Sequence, residues 1–75
     1  MTNKEIIMEA LSEINLDYLD PEKNIFTVSE WQRRGFQIKE GEQPRIQVKI
    51  WKPIDKQGMI LVPASFYDLT QVYKE

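Results

Sequence analysis

The spacing of apolar residues predicts a helix at the start of the chain. Thr2 followed three residues later by Glu5 has the pattern of a capping box, in which each side chain binds the backbone N–H of the other residue. The apolar residues that follow recur every three or four positions: Ile6, Ile7, Ala10, Leu11 and Ile14. We therefore expect a helix over about residues 3–15.

A second, shorter helix is predicted in the middle of the chain. Thr27 and Glu30 form a second capping-box pattern, which places the start of the helix directly after Thr27. Gly35 stands where a left-handed residue commonly ends a helix, because glycine adopts positive φ without a steric cost. The pattern predicts a helix over about residues 28–34.

Large side chains beside these helices are predicted to pack into the core. Phe26 precedes the second helix cap and Trp31 lies four residues into the helix, which is the spacing of a hydrophobic staple. Trp31 is therefore interpreted as a core anchor, with ligand stacking as the alternative. In the connector before it, we expect Leu16, Tyr18 and Leu19 to fold back onto the core.

The second half of the chain alternates between apolar and polar residues, which predicts strands. Phe36 and Ile38 indicate a short one. Residues 45–52 alternate clearly, with Ile46, Val48 and Ile50 on one side and Arg45, Gln47, Lys49 and Trp51 on the other. Residues 59–67 are expected to return after a hairpin loop at 53–58, with Ile60, Val62, Ala64 and Phe66 on one face.

The end of the chain gives a weaker pattern. Pro63 lacks an N–H, so its strand should lie at a sheet edge or turn its unpaired side outward there. Residues 68–75 are either a last short helix or an irregular tail, with Leu69, Val72 and Tyr73 as candidate anchors. The predicted fold is α+β: an N-terminal helix, a short second helix, a mainly antiparallel sheet of about three strands and a short C-terminal segment.

Composition limits the classes of function. A chain of 75 residues is expected to form one domain, spanning residues 1–75. It contains no cysteine and no histidine, which removes the thiolate nucleophile, the commonest general base and the commonest metal ligand. Glu40 and Glu42 flank one glycine, but two carboxylates are too few ligands for calcium. We therefore expect no enzyme, no metal site and no cofactor.

Charge is divided unevenly along the chain. Residues 1–30 hold two lysines and seven acidic residues, a net charge of −5, whereas residues 31–75 hold eight basic and five acidic residues, a net charge of +3. No apolar run approaches the roughly 20 residues that a membrane span needs, and the N-terminus carries acids within what would be a signal core. A cytoplasmic protein without membrane contact is expected.

The basic half supplies the candidate binding residues. Proteins that hold single-stranded nucleic acid combine cations along the phosphates with aromatic rings on which bases stack. The candidate set for such a surface is Arg33, Arg34, Lys39, Arg45, Lys49, Trp51 and Lys52. The alternative is that these cations only solubilise the strand and protect its edge, that Trp51 packs under the following loop, and that the two arginines stabilise a helix C-terminus.

The order of motifs also resembles a known family. The residues on which the resemblance rests are Phe26-Thr27, Trp31, Gly35, the segment Ile38 to Glu42, the segment Val48 to Pro53 and the segment Phe66 to Gln71. Over about residues 25–72 this order resembles the N-terminal domain of ArdC-type antirestriction proteins, which also occurs in plasmid and phage proteins. Tyr67 interrupts the family's phenylalanine-aspartate pair, and residues 1–24 do not supply its usual N-terminal motif.

The resemblance implies single-stranded DNA binding in a phage or mobile-element context. The first hypothesis is therefore a small nucleic-acid-binding module. The second is a protein-binding accessory factor, such as an antirestriction-like inhibitor of a host enzyme, that docks through the acidic first helix or through the sheet edge near Pro63. Oligomeric state is left open by the sequence.

Overall fold

The structure, a computed structural model, describes residues 1–56 and 58–75. In this part of the chain it contains two α-helices, five β-strands and one 3-10 turn. In chain order these are α1 (Asn3–Glu13), β1 (Ile25–Phe26), α2 (Val28–Arg33), β2 (Phe36–Ile38), β3 (Ile46–Pro53), β4 (Met59–Asp68), the 3-10 turn (Leu69–Gln71) and β5 (Val72–Lys74). The architecture is α+β, which confirms the predicted fold class.

The strands form two antiparallel sheets. The larger has the order β1-β4-β3, and its main part is the hairpin of β3 and β4, in register from Ile46 opposite Phe66 to Pro53 opposite Met59. β1 covers only the last two residues of β4. The smaller sheet pairs β2 with β5. Residue 57 of the predicted hairpin loop lies outside the described residues.

One face of the hairpin packs against α1. Alternation along the strands directs the even-numbered residues to this side, as the period of two predicts. The cluster formed there, called the α1 cluster, contains Ile7, Leu11, Leu19, Ile25, Ile46, Ile50 and Phe66. Leu11 and Ile25 are fully buried at its centre. The α1 helix is thus held to the sheet by apolar contacts rather than by charge.

A second cluster, called the Trp31 cluster, joins α2 to the smaller sheet. Its buried members are Phe26, Trp31 and Val72, with Phe36 and Tyr67 packed against them. The ring centroids of Phe26 and Trp31 lie 4.9 Å apart in an edge-to-face arrangement, so the predicted hydrophobic staple is present. Trp31 is 2% exposed and its indole N–H donates to the carbonyl of Tyr67 at 2.9 Å. This tryptophan is a core anchor.

The N-terminal caps of both helices form as the sequence predicts, except for one hydrogen bond. Thr2 and Glu5 form both hydrogen bonds of the first capping box. Thr27 accepts from the amide of Glu30, but in the described part of the chain the Glu30 carboxylate is bound by Arg33 and Arg34 instead of the Thr27 amide. An ion pair with two guanidinium groups competes here with a single backbone N–H.

The C-terminus agrees only in part with its prediction. A last short helix does form, as the 3-10 turn at Leu69–Gln71, but the chain then continues as β5, which pairs with β2. The short strand at Phe36 consequently lies in the smaller sheet. Of the predicted anchors, Leu19 and Val72 are buried, whereas Tyr18, Leu69 and Tyr73 are exposed.

Candidate binding surface

The outward side of the β3–β4 hairpin carries several large exposed apolar side chains. We call it the hairpin face and define it by the odd-numbered residues between positions 47 and 65 of the two strands: Gln47, Lys49, Trp51, Pro53, Met59, Leu61, Pro63 and Ser65. Trp51 stands opposite Leu61 and next to Met59, and the three side chains are 38%, 46% and 55% exposed. Such a contiguous group of large exposed apolar side chains is typical of interaction sites.

Lys49 and Trp51 share this face, as the alternation of the strand predicts. Lys49 lies two residues before Trp51 and opposite Pro63, is exposed, and forms no ion pair within residues 1–56 and 58–75. At the inner end of the face the amide of Gln47 donates to the Ser65 hydroxyl at 3.3 Å. The hairpin face therefore has an apolar centre, one cation and no acidic residue.

Arg45 does not add a second free cation beside Lys49. Its Nε atom donates to the buried carboxylate of Asp68 at 2.7 Å. Burial raises the pKa of the Asp68 carboxyl, but hydrogen bonds from Thr70 and Arg45 outweigh this effect and hold the pKa below its ordinary value. The guanidinium thus serves as the counter-ion of a carboxylate in the protein.

The remaining predicted cations lie elsewhere. Arg33 and Arg34 at the end of α2 both bind Glu30, and these contacts, led by the hydrogen bond from Arg33, lower the pKa of Glu30 to about 2. The Arg34 guanidinium also stands 4.1 Å from the ring centroid of Phe26. Lys39 donates to the carbonyl of Thr70 at 3.0 Å.

Lys52 lies at the border of the hairpin face. Alternation along β3 places it on the side of Ile50, but it lines a groove together with Pro63 and Ser65 of the hairpin face. Of the seven predicted binding residues, the hairpin face therefore contains Lys49 and Trp51, with Lys52 beside it.

Each edge of the hairpin is interrupted at one position. On the β3 edge, the side-chain amide of Asn3 accepts from the N–H of Trp51 at 2.7 Å and donates to its carbonyl at 2.9 Å, in the way a neighbouring strand would. Because backbone groups alternate in direction, the register places the nitrogen of Pro63 on the outer edge of β4, where it has no hydrogen to donate. This position agrees with the expectation that Pro63 turns its unpaired side outward.

A polar network that the sequence does not predict closes the other end of the sheet. Gln71 is fully buried, accepts from the amide of Asp68 and donates to the Glu42 carboxylate and the Gln43 carbonyl. The Asp68 carboxylate in turn binds the amide and hydroxyl of Thr70. These contacts are satisfied within the protein, so we assign them to the fold.

The described residues show neither a metal-ligand cluster nor a membrane-spanning helix. No group of three or more potential metal-ligating side chains comes together there. Among the same residues, neither helix has the length and apolar character needed to cross a membrane.

Asn3, Met59 and Leu61 are absent from the predicted binding residues. For the last two a signal exists, because residues 59–62 are consecutively apolar and alternation directs two of them away from the α1 cluster. Ile60, on the other side of the strand, is exposed as well. Asn3 gives no such signal, because its contact with Trp51 spans 48 positions.

Comparison with known proteins adds no assignment. No protein-family model matches the chain, and no match was found among the curated proteins or the solved structures. The resemblance to the ArdC-type domain therefore stays a prediction, and the proposals below rest on the chemistry of the surface.

Proposed function

We propose that this chain is a protein-binding module and that the hairpin face is its contact surface. The observation that carries the proposal is the grouping of Trp51, Leu61 and Met59, all substantially exposed, on one side of a hairpin whose other side is anchored to α1. Tryptophan and other large side chains at the centre of an interface often supply most of the binding energy.

The interruption of both edges favours contact through side chains. A partner that added a strand would need a continuous row of backbone donors and acceptors. Asn3 already occupies the backbone groups of Trp51, and Pro63 interrupts the row on the opposite edge. The face remains open while both edges resist extension, a combination that suits a specific partner and limits aggregation.

The number of free cations favours a protein over a polynucleotide. Binding to a nucleic-acid backbone depends on several phosphate contacts from lysine and arginine. Lys49 on the hairpin face and Lys52 beside it are few charges for this purpose, since Arg45 is engaged with Asp68. The preferred partner is an apolar protein surface with a carboxylate placed to meet Lys49. The antirestriction-like hypothesis makes that partner a host enzyme, which the chain would inhibit by occupying its surface.

This proposal is tested by immobilising the wild type and two variants and comparing the proteins that each one retains. Leu61→Glu places a charge at the centre of the face, and Glu9→Lys with Glu13→Lys alters the acidic side of α1 as a matched surface control. We expect proteins retained by the wild type and by the α1 variant to be lost with Leu61→Glu. If partner proteins are lost only with the α1 variant, the contact surface is α1 and not the hairpin face. If the wild type and both variants retain the same proteins, the proposal is wrong.

A second candidate is single-stranded nucleic acid on the same face. It is favoured by one observation, the exposed Lys49 two residues from Trp51, which allows a phosphate contact beside a stacked base. The ArdC-type resemblance implies the same ligand.

Fluorescence titration separates the two candidates. An oligonucleotide that stacks on Trp51 should quench wild-type fluorescence at low salt, less so at high salt, and should have little effect on Trp51→Phe, which retains the buried Trp31. No quenching at low salt, or equal quenching in the variant, would exclude stacking at this site.

A further inference from the structure

A groove away from the hairpin face has the features of a small binding site. It has a volume of about 340 Å³ and lies between the connector after α1 and the 3-10 turn. Tyr18 and Leu69 form an apolar rim above Leu16 and Leu19, and the polar groups of Asn24 and Arg45 border the same space. Tyr18 is 73% exposed and Leu69 is also exposed, so neither side chain is explained by the core.

The acceptors around this groove are already used. One oxygen of the Asp68 carboxylate accepts from the amide and hydroxyl of Thr70, and the other accepts from Nε of Arg45. Oδ1 of Asn24 accepts from the amide of Asp20 at 2.7 Å, and the carbonyl of Asn24 accepts from the amide of Leu69 at 3.0 Å. A ligand therefore meets few free acceptors here.

The donors are not all used. A guanidinium carries five N–H groups, and Arg45 commits one to Asp68 and one, at 3.4 Å, to the Thr70 hydroxyl. Its other N–H groups have no acceptor within residues 1–56 and 58–75, and the same holds for the side-chain NH₂ of Asn24. Unused donors beside an apolar rim select a ligand with an acceptor at one end and an apolar body at the other.

We propose that the groove binds a carboxylate attached to an apolar group, with the carboxylate on Arg45 and Asn24 and the apolar part between Tyr18 and Leu69. A carboxylate matches the planar fork of a guanidinium, and charge-assisted hydrogen bonds of this kind are stronger than neutral ones. The same chemistry is offered by a small organic acid and by the C-terminal residue of a polypeptide, and both fit the description.

Titrations followed by amide NMR on the full chain test the site. The probes are hexanoate against hexanamide, and N-acetyl-leucine against N-acetyl-leucinamide, which differ in the charged end alone. We expect saturable shifts at Asn24, Leu69 and Thr70 with both acids, and affinity weaker by roughly tenfold for the amides because a charge-assisted pair is lost. Saturation with one acid alone would assign the source as a small molecule or as a polypeptide C-terminus.

Two variants test whether Arg45 and Tyr18 form the binding site. Arg45→Lys keeps a cation for Asp68 but loses the fork, and Tyr18→Ala removes an exposed rim residue without touching the core; each should weaken acid binding. Equal affinity for acid and amide, no saturable shift with any probe, or no effect of either variant would overturn the proposal. Leu61→Glu should leave this binding unchanged, so the outcome is independent of the hairpin face.

Discussion

The carboxylate of Asp68 has the most consequential single contacts in the molecule. It is 4% exposed and accepts hydrogen bonds from both Thr70 and Arg45. In Asp68→Asn an amide NH₂ replaces one acceptor and cannot accept from these donors, so we expect the free energy of unfolding to fall by about 2 kcal/mol. Urea denaturation at neutral pH measures this loss.

The pH dependence of that loss follows from the sign of the pKa shift. Because the folded-state pKa of Asp68 lies below its ordinary value, the stabilisation is fully present above the unfolded pKa of about 4 and disappears as pH falls through the folded pKa. The difference between wild type and Asp68→Asn should therefore narrow in acid. Asp17→Asn, at an exposed position, is the control and should change stability little at neutral pH. A difference for Asp68→Asn that stays constant with pH would contradict the assignment.

Substitution of the two tryptophans compares the stability contribution of a buried residue, Trp31, with that of an exposed one, Trp51. Trp31→Phe removes the hydrogen bond to the Tyr67 carbonyl and leaves a void in the Trp31 cluster, for an expected cost of about 1–3 kcal/mol. Trp51→Phe alters an exposed side chain and should change stability by less than about 0.5 kcal/mol. Thermal or urea denaturation of both variants checks the difference, and similar losses would contradict the separation of core from surface.

At the level of single residues, the sequence predicts which side chains alternate but not which charges meet. Trp31 could be placed in the core because its staple with Phe26 is local. The pairing of Arg45 with Asp68 joins positions 23 residues apart, so no local pattern reveals that this cation is engaged. Tyr18 is expected in the core together with Leu16 and Leu19, but its side chain is exposed.

At the level of elements, the contact between α1 and the edge of β3 predicts a local effect. Asn3→Ala removes both hydrogen bonds to the backbone of Trp51, so the Trp51 amide should exchange faster and stability should fall by about 1 kcal/mol. Asn3→Asp keeps the acceptor and should retain part of the protection. Amide hydrogen exchange measures the effect.

The control for this edge contact is Lys4→Ala. Lys4 neighbours Asn3 in α1 but forms an exposed ion pair with Glu22, so its loss should leave the Trp51 amide protected. Equal acceleration in both variants would attribute the effect to the helix as a whole.

Elements with a repeating pattern could be predicted, whereas β1 and β5 could not. Eight residues in β3 give several alternations, and even the three residues of β2 begin and end with an apolar side chain, but β1 has only two residues and β5 does not show that spacing. These short strands form because the larger elements bring them beside β4 and β2. For the same reason the smaller sheet, and the groove beside the 3-10 turn, depend on tertiary contacts.

On the scale of the whole molecule, two apolar clusters are joined by the same strands. Ile25 and Phe66 belong to the α1 cluster, while their neighbours Phe26 and Tyr67 belong to the Trp31 cluster, because successive strand residues point to opposite faces. Loosening one cluster must therefore displace the backbone that supports the other. We infer that the chain unfolds in one cooperative step.

Mild truncations in each cluster test this cooperativity. Ile7→Val should cost about 1 kcal/mol and Val72→Ala about 1–2 kcal/mol, since both side chains are buried. In a Trp51→Phe background, fluorescence follows Trp31, and far-UV circular dichroism follows mainly α1. Either truncation should lower the urea midpoint equally by both probes, because β1 and β4 transmit the loss between the clusters. Separate midpoints would mean instead that each cluster opens without the other, and that the shared strands do not couple them.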